Sequence, residues 1–346
     1  MMILSFITLK LISLLFLKIS SISAFVISLP PQNTRIFSSH STIKGVSSTS
    51  VDAPGHLEKS VQLISKPIQL FIEDTDAYQV KYNGNYIRSY ERALFQIAEE
   101  VKLIDETSVL TDENFILLGV TKHKFKSSPK LGDRFQVLAK RMEKLSDCEN
   151  TEEWQLEMVL YQSDSSNHST NSAVFNTATV LVANFESIQS NRHLRFLDNG
   201  VDLSTSSHSY SFHLNRDEFD IHMPGILPIR TALNIFERSR SNALGGPDLL
   251  EKMRQSGLLW VVTSVDEMFI EPTIVCRPGE AVLCRSTFDT KRNGMIVECK
   301  QEICKMVGSH KFQTIARGIV TLCAIDAKTL KPTKNIPDFV KEMFSN

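Results

Sequence analysis

Two short polar segments hold the residue types best suited to chemistry. The first, EDTDA at 73–77, contains Asp74 and Asp76, and the second contains Asp220 and His222. A carboxylate can attack as a nucleophile or activate water, and a histidine can act as a general base near neutral pH. Each segment lies just before a predicted helix, whose first amide N–H groups have no partner within the helix and can polarise a carbonyl. For an isolated Asp in this position, a turn at the helix entry is the alternative role.

The two segments occupy matching places in an internal repeat. When Glu91 in YERA is aligned with Glu237 in FERS, no gap is needed to place Asp74 on Asp220 and Asp76 on His222. Further along, Gly132-Asp133 matches Gly279-Glu280 at nearly the same separation. The chain is therefore a duplication with an offset of about 146 residues, the kind of self-similarity that decides a fold prediction.

Each repeat has the pattern of an α+β unit. An apolar strand and a polar loop precede a helix, which has apolar residues at helical spacing. These are Tyr86, Tyr90, Leu94 and Ile97 in the first repeat and Leu233, Ile235, Phe236 and Leu244 in the second. Several strands separated by turn signals follow the helix. We predict an N-terminal domain over 60–187, a linker over 188–208 and a C-terminal domain over 209–341.

The segment EDTDAYQVKYNGNYIRSYERA resembles the signature of hotdog-fold acyl-CoA thioesterases of the 4-hydroxybenzoyl-CoA thioesterase type. The resemblance implies two tandem hotdog domains, each a curved antiparallel sheet around a central helix. The two domains would pair as an intramolecular pseudo-dimer with active sites at their interface. The implied activity is hydrolysis of an acyl thioester, with Asp76 as the nucleophile or general base and His222 as its counterpart. The candidate residues for substrate contact are Asn83, Gly84 and Asn85, whose N–H groups can polarise the carbonyl, together with Tyr86 and Gly225. For Asn85 and Tyr86, packing or capping of the helix is the alternative role.

Departures from the family pattern leave alternatives open. Gln79 replaces the usual Gly, Asn83 replaces the usual His, and His222 stands at the expected carboxylate position of the second repeat. The second repeat is then either a degenerate half that completes one site or an active half with His222 as its base. A hydroxyacyl-thioester dehydratase, using His222 with Asp76 or Glu237, is one alternative to hydrolysis. A non-catalytic double hotdog that binds acyl groups or serves as a scaffold is another.

Composition narrows the range of partners. The net charge is -1, from 38 Lys and Arg against 39 Asp and Glu, so nucleic acid is not an expected partner. The six cysteines form no metal-ligand motif and are predicted to be buried free thiols, and neither a metal nor a cofactor is expected. Acyl-CoA or an acyl carrier protein is the expected substrate partner, and two tandem chains can associate further as a homodimer.

The N-terminal segment has the character of a targeting sequence. Residues 3–16 are almost all apolar and are followed by small residues up to Ala24, which predicts a signal peptide over 1–24. Residues 25–56 are rich in Ser and Thr and are predicted to be a transit-peptide-like segment. The join at Phe25 resembles the bipartite plastid presequences of diatoms and related algae. Import into a complex plastid is therefore expected, with the secretory pathway as the alternative and no stable membrane span in the mature protein.

Overall fold

The computed structural model of the protein describes residues 63–75, 81, 83–102, 115–144, 153–163, 173–184, 188, 208–219, 223, 225–307 and 311–343. The predicted targeting segments, 1–24 and 25–56, lie outside these residues. Among the helices in the described ranges, none is long and apolar enough to span a membrane.

The described part of the first repeat consists of a central helix and the strands around it. Two short strands and a 3-10 turn at Ile72–Asp74 precede the helix, and four long strands follow it. The elements are β1 (Leu63–Ile64), β2 (Ile68–Gln69), α1 (Asn83–Lys102), β3 (Phe115–Phe125), β4 (Arg134–Lys144), β5 (Glu153–Gln162) and β6 (Val174–Asn184).

Within the described residues, the second repeat follows the same order of elements and has a further helix after the central helix. A strand and a 3-10 turn at Arg216–Glu218 come before the central helix, as in the first repeat. The elements are β7 (His208–His213), α2 (Ile229–Ala243), α3 (Gly246–Gln255), β8 (Leu258–Ile270), β9 (Ala281–Lys291), β10 (Ile296–Val307), β11 (Lys311–Asp326) and a terminal helix α4 (Asp338–Met343).

All the strands belong to one antiparallel sheet. Its order is β1-β4-β5-β6-β3-β8-β11-β10-β9-β7, and β2 also pairs with β4. Each repeat thus contributes the same strand order, and the two halves meet where β3 pairs with β8. The predicted duplication of an α+β unit is confirmed by this topology.

The central strand pair gives the sheet a local two-fold relation between the repeats. Thr121 pairs with Glu267, its counterpart at the offset of about 146. Gly119 pairs with Phe269, and His123 pairs with Val265. At the same offset, Val265 is the counterpart of Gly119 and Phe269 is the counterpart of His123. Exchanging the repeats therefore converts one pair into the other, and the register is symmetric about Thr121 and Glu267.

The central helices bury one face against the sheet. In α1, Tyr86, Tyr90 and Leu94 are fully buried, as their spacing predicts. In α2, Ile235 and Phe236 are fully buried as well. Burial of each such large apolar side chain stabilises the fold by about 1.5–3 kcal/mol. The helices also contact one another across the junction of the repeats.

Three residues near the predicted domain boundaries have defined places in the structure, and the boundaries themselves stay a prediction. Ile188, assigned to the linker, is buried in the main hydrophobic core. His208, the last predicted linker residue, begins β7 and pairs with Ser286. At the C-terminus α4 continues to Met343, beyond the predicted end at residue 341, because Val340 packs into a second small core.

Candidate active site

The segment carrying Asp76 is held at both ends although Asp76 itself lies outside the described residues. Thr75 and Lys81 form an antiparallel bridge, so residues 76–80 connect two points that lie side by side. The Lys81 amide N–H also donates to the Pro129 carbonyl at 2.9 Å. The entry to α1 is thereby fixed against the turn before β4.

His222 also lies outside the described residues, and the contacts of the nearby Gly225 are structural. Gly225 has a φ of +90°, and its carbonyl accepts a hydrogen bond from the Cys276 N–H at 2.7 Å. A Cβ at this position would lie 2.9 Å from the Val275 side chain. Both the backbone conformation and the close neighbour therefore require a glycine here, and contact of Gly225 with substrate stays a prediction.

The 3-10 turns correct the gap-free alignment of the repeats. Arg92 of α1 pairs with Asp74 at 3.6 Å, and the equivalent Arg238 of α2 pairs with Glu218 at 2.9 Å. Asp74 and Glu218 each end a 3-10 turn. The counterpart of Asp74 is thus Glu218, and the predicted match with Asp220 is wrong.

The same comparison shows an insertion before the second central helix. From Asp74 to the start of α1 at Asn83 the chain advances nine residues, whereas from Glu218 to the start of α2 at Ile229 it advances eleven. Counted from the turn, Asp76 corresponds to Asp220, and EDTD at 73–76 matches DEFD at 217–220. Counted from the helix, Asp76 corresponds to His222, so the second repeat has two candidates for this position.

The start of α1 faces the second repeat across a narrow crevice. Gly84 lines it on one side, and Glu237 and Arg240 of α2 line it on the other. Its remaining walls are apolar and consist of Leu233, Val262, Val265 and Val320. The first amides of α1, which carry the positive end of the helix dipole, therefore lie beside a small pocket at the interface of the repeats.

The predicted neighbours of Gly84 have different surroundings. The Asn85 side-chain amide donates to the Glu73 carbonyl at 3.5 Å and ties the helix start to the 3-10 turn. Tyr86 is fully buried within the first repeat, with its ring 5.1 Å from the Phe125 ring and 5.9 Å from the His123 ring. Tyr86 is thus a core residue and does not line the crevice, which fits the packing alternative, and contact of Tyr86 with substrate stays a prediction. Asn83 begins the helix.

The symmetric position at the start of α2 is closed by an ion pair. Arg230 is the counterpart of Gly84, and Glu91 is the counterpart of Glu237, since both helices align from their first residues. The Arg230 guanidinium donates to Glu91 at 3.1 Å across the junction of the repeats. The start of α2 therefore carries the long cationic side chain of Arg230, whereas the start of α1 has Gly84 and a crevice.

Arg240 provides a buried positive charge at the crevice. It is 6% exposed, and its guanidinium donates to the Gln301 side chain at 2.5 Å. Gln301 is itself fixed by donation to the Phe236 carbonyl at 2.9 Å and to Ser286 at 2.8 Å. A cation held in a buried network needs little reorganisation to stabilise negative charge that develops nearby.

Polar groups also lie in the core of the first repeat, and no local sequence pattern predicts their burial. Lys81 is 2% exposed, with its Nζ 4.7 Å from the centre of the Phe135 ring. Burial lowers the pKa of Lys81 to about 8, although Asp74 opposes the shift. Burial likewise lowers the pKa of His123 to about 3, so this imidazole is neutral at physiological pH. A contact of Lys81 with substrate phosphates, which surface exposure would allow, does not fit this burial.

The described cysteines are free and buried, as predicted. Burial raises the pKa of Cys276 and of Cys299 to about 12, and that of Cys284 to about 11. Thiols with such values carry almost no thiolate at neutral pH and are poor nucleophiles. Cys148 lies outside the described residues.

Two solved structures with a similar fold are described as thioesterases. A proposed oleoyl thioesterase from Lactobacillus plantarum is 7% identical, with a TM-score of 0.51 over 77% of this chain and 97% of that chain. The 12:0-ACP thioesterase from Umbellularia californica is 9% identical, with a TM-score of 0.50 over 75% and 96%. No protein-family model and no curated protein sequence matches this chain. At this identity the likeness establishes the fold, and the predicted tandem hotdog arrangement is confirmed.

Proposed function

We propose that the protein hydrolyses acyl thioesters at one site, located where the start of α1 meets α2. The observation that carries the proposal is the asymmetry between the two helix starts. Gly84 leaves a crevice beside Glu237 and Arg240, whereas Arg230 closes the symmetric position by pairing with Glu91. Asp76 belongs to the segment between the bridged residues Thr75 and Lys81, and Lys81 lies two residues before the start of α1.

In the proposed reaction the substrate carbonyl lies at the first amides of α1. The Asp76 carboxylate takes a proton from water while the water oxygen forms a bond to the carbonyl carbon. The oxyanion that forms is stabilised by the helix amides and by the buried charge of Arg240. The carbon–sulfur bond then breaks, and the thiolate leaves as a thiol after taking the proton. Direct attack by Asp76, giving an anhydride that water cleaves, is the second route to the same products.

The second repeat completes this site in the proposal. Gly84 comes from α1 and Glu237 and Arg240 come from α2, so the crevice is built by both repeats. The proposed substrate class is an acyl group on coenzyme A or on a carrier protein. A chain of similar fold is named a 12:0-ACP thioesterase, which supports this substrate class.

Two alternatives follow from specific features. A dehydratase would use His222 with Asp76 or Glu237. The observation that favours this alternative is the position of Glu237 on the crevice. A non-catalytic acyl-binding or scaffold protein is favoured by the narrowness of the crevice and by the filled core around Tyr86. Both alternatives predict no release of free thiol.

The deciding experiment measures free-thiol release from a panel of acyl-CoA and acyl-carrier-protein substrates. Wild type is compared with Asp76→Asn, His222→Ala and Asp220→Asn. We expect Asp76→Asn to lower kcat by at least about 100-fold, the usual range for loss of a general base. The other two variants should retain activity, because they alter the second repeat's counterparts of Asp76.

Other outcomes assign the chemistry elsewhere. Loss of activity in His222→Ala alone, together with water elimination from a hydroxyacyl thioester, would establish the dehydratase. An inactive wild type that still binds acyl thioesters would establish the binding protein.

We also propose that residues 1–56 direct the protein into a complex plastid. The support is the signal-like segment that ends at Ala24, followed by the Ser- and Thr-rich segment after Phe25. A fluorescent fusion to residues 1–56 should accumulate in the plastid of a diatom cell. Fluorescence in the medium or along the secretory pathway would overturn the proposal, and Phe25→Ala provides the matched variant.

A further inference from the structure

The second repeat buries a polar network at a place where the first repeat buries apolar side chains. The network lies between α2, β9 and β10, and none of its members is more than 6% exposed. Its four members are Ser239, Arg240, Ser286 and Gln301. The first repeat has four buried side chains at the matching positions, and these are Ala93, Leu94, Ala139 and Met158.

The match between the two sets follows from the elements and from the register of the sheet. The helices α1 and α2 align from their first residues, and so do the eleven-residue strands β4 and β9. In the first repeat, Ala139 of β4 pairs with Met158 of β5. In the second, Ser286 of β9 pairs with Gln301 of β10. Gln301 is therefore the structural counterpart of Met158.

The apolar set shows that this fold can be packed here without polar side chains. Burying polar groups costs free energy unless each one has a partner, and a partly satisfied network is worse than an apolar core. The polar set therefore requires a reason other than packing. Arg240 provides that reason, because it is the member of the network that lines the crevice beside Gly84.

The hydrogen bonds of Gln301 fix the orientation of its amide. The Nε2 group has two N–H donors, and it donates to the Phe236 carbonyl at 2.9 Å and to Ser286 at 2.8 Å. The Oε1 atom accepts from Nη1 of Arg240 at 2.5 Å. A flipped amide would turn its N–H donors toward the guanidinium, which has donors only. The amide oxygen is therefore directed at Arg240.

The network ties the β-sheet to one turn of α2. Phe236 and Arg240 lie four residues apart on α2, and Gln301 bonds to both. Ser286 shares a hydrogen bond with Ser239 of the same helix, at 3.1 Å between the two hydroxyl oxygens. The long side chain of Arg240 would otherwise have several rotamers, and fixing such a side chain costs conformational entropy. The contacts with the sheet and with its own helix offset that cost.

We infer that Gln301 is a positioning residue that holds the Arg240 guanidinium ready at the crevice, and that Ser286 and Ser239 hold Gln301. The inference rests on the proposed function, in which Arg240 stabilises the oxyanion. Gln301 acts only through Arg240. Preorganised donors stabilise a developing charge without reorganisation during the reaction, so a loosened Arg240 should slow the chemical step.

The test is a double-mutant cycle on thioester hydrolysis by the full chain. Gln301→Met and Arg240→Leu each introduce the residue that the first repeat has at the matching position. The double variant Arg240→Leu/Gln301→Met completes the cycle. Thr231→Val is the matched control, because it removes another buried hydroxyl of the second repeat, one that donates to the Glu218 carbonyl.

Arg240→Leu should lower kcat by about 100-fold, and Gln301→Met by about tenfold, since the first removes the charge and the second only loosens it. KM should change by less than about twofold, because the charge is needed mainly in the transition state. In the Arg240→Leu protein, Gln301→Met should have no further effect, and Thr231→Val should leave kcat unchanged. An equal fall in both backgrounds, or no fall in the protein that retains Arg240, would overturn the inference.

A milder variant keeps the test decisive if Gln301→Met does not fold. Ser286→Ala removes one partner of Gln301, and an alanine already occupies the matching position in the first repeat. It should lower kcat by about threefold in the presence of Arg240 and should have no effect in Arg240→Leu, because contacts within one network are not additive. Equal effects in the two backgrounds would again overturn the inference.

Exchanging the whole network separates positioning from stability. The exchange combines Ser239→Ala, Arg240→Leu, Ser286→Ala and Gln301→Met. Replacing buried polar groups by packed apolar ones is often neutral or stabilising, so the melting temperature should equal or exceed that of wild type. The kcat should fall to the value of Arg240→Leu alone. A stable protein with the kcat of wild type would overturn the role of the network.

The inference and the proposed function can fail separately. If wild type hydrolyses no thioester, the proposed function fails, and the mobility of Arg240 then decides the positioning role. In nuclear magnetic resonance the Nε–H signal of Arg240, identified by its loss in Arg240→Leu, should have an order parameter of about 0.85 in wild type and below about 0.6 in Gln301→Met. An order parameter that Gln301→Met leaves unchanged would overturn the inference.

Discussion

At the scale of single residues, the difference between Gly84 and Arg230 is the basis of the proposed single site. Both occupy the second position of a central helix, and both face a glutamate of the opposite repeat. A glycine leaves a narrow crevice near the helix amides, whereas an arginine uses its own donors to satisfy the glutamate.

Gly84→Arg should therefore close the working site without unfolding the protein. The second repeat already accommodates an arginine at this helix position, and the new side chain can pair with Glu237 as Arg230 pairs with Glu91. We expect thioester hydrolysis to fall by at least about 100-fold, the loss typical when oxyanion stabilisation is removed. The melting temperature should stay within a few degrees.

The mirror variant Arg230→Gly is the control for this prediction. It removes a partly buried ion pair, which should lower the free energy of unfolding by about 1 kcal/mol while activity remains. Full activity in Gly84→Arg would show that the chemistry lies elsewhere.

Lys81 gives a pH dependence whose direction follows from its burial. Its pKa is about 8 in the folded protein and 10.5 in the unfolded chain, so the unfolded state binds more protons between these values. The free energy of unfolding should then rise with pH over this window, by on the order of 3 kcal/mol from this group. Lys81→Met should be more stable than wild type at pH 7.

Denaturant unfolding of both proteins at pH 7 and pH 10 measures the effect. The stability difference between Lys81→Met and wild type should shrink at the higher pH, because Lys81 is then neutral in the folded protein and no buried charge has to be stabilised. Lys130→Met, at an exposed neighbouring position, should show no such change. A pH-independent difference would contradict the lowered pKa.

At the scale of elements, the pairing of β3 with β8 joins the two repeats into one sheet. Gly119 lies opposite Phe269, and a Cβ at Gly119 would come within 2.3 Å of that ring. The symmetric pair, Val265 opposite His123, has no glycine. The missing side chain at Gly119 thus accommodates one aromatic ring at the junction.

Gly119→Ala should destabilise the protein by about 1–3 kcal/mol, because the Phe269 ring must leave its position. Phe269→Ala should relieve the clash, so the double variant should be more stable than the sum of the single effects predicts. Chemical denaturation of the four proteins measures this coupling. Thr121→Ala on the same strand is the control, and strict additivity of Gly119→Ala with Phe269→Ala would contradict the described register.

At the scale of the whole molecule, the chain supplies both halves of a pair. Separating the repeats would leave β3 with an unpaired edge and expose the face of α1 that contacts α2. Exposed sheet edges and apolar faces promote association.

The first repeat alone, residues 60–187, should therefore form dimers or aggregates. In the full chain, by contrast, β3 pairs with β8 and α1 packs against α2. Sedimentation velocity distinguishes the species. A stable monomer of the isolated repeat with undiminished melting temperature would contradict this prediction. A homodimer of the full chain stays a prediction that the same measurement tests.

The sequence by itself determined the duplication, the α+β pattern and the position of both central helices. These features depend on local spacing: the buried residues of α1 recur at helical intervals, and matching motifs such as Gly132-Asp133 and Gly279-Glu280 keep their separation. Both glycines adopt a positive φ in the same turn, which explains why the motif marks the repeat so clearly.

Only the tertiary structure decided which side chains meet between the repeats. A gap-free alignment cannot locate two extra residues, and it was the ion pairs of Arg92 and Arg238 that placed Asp74 opposite Glu218. Likewise, no local sequence pattern shows that Lys81 is buried, that Gly84 lines a crevice or that Arg230 forms an ion pair. These distinctions depend on contacts between residues far apart in the chain, and such contacts exist only once the sheet has formed and the two helices are packed against each other.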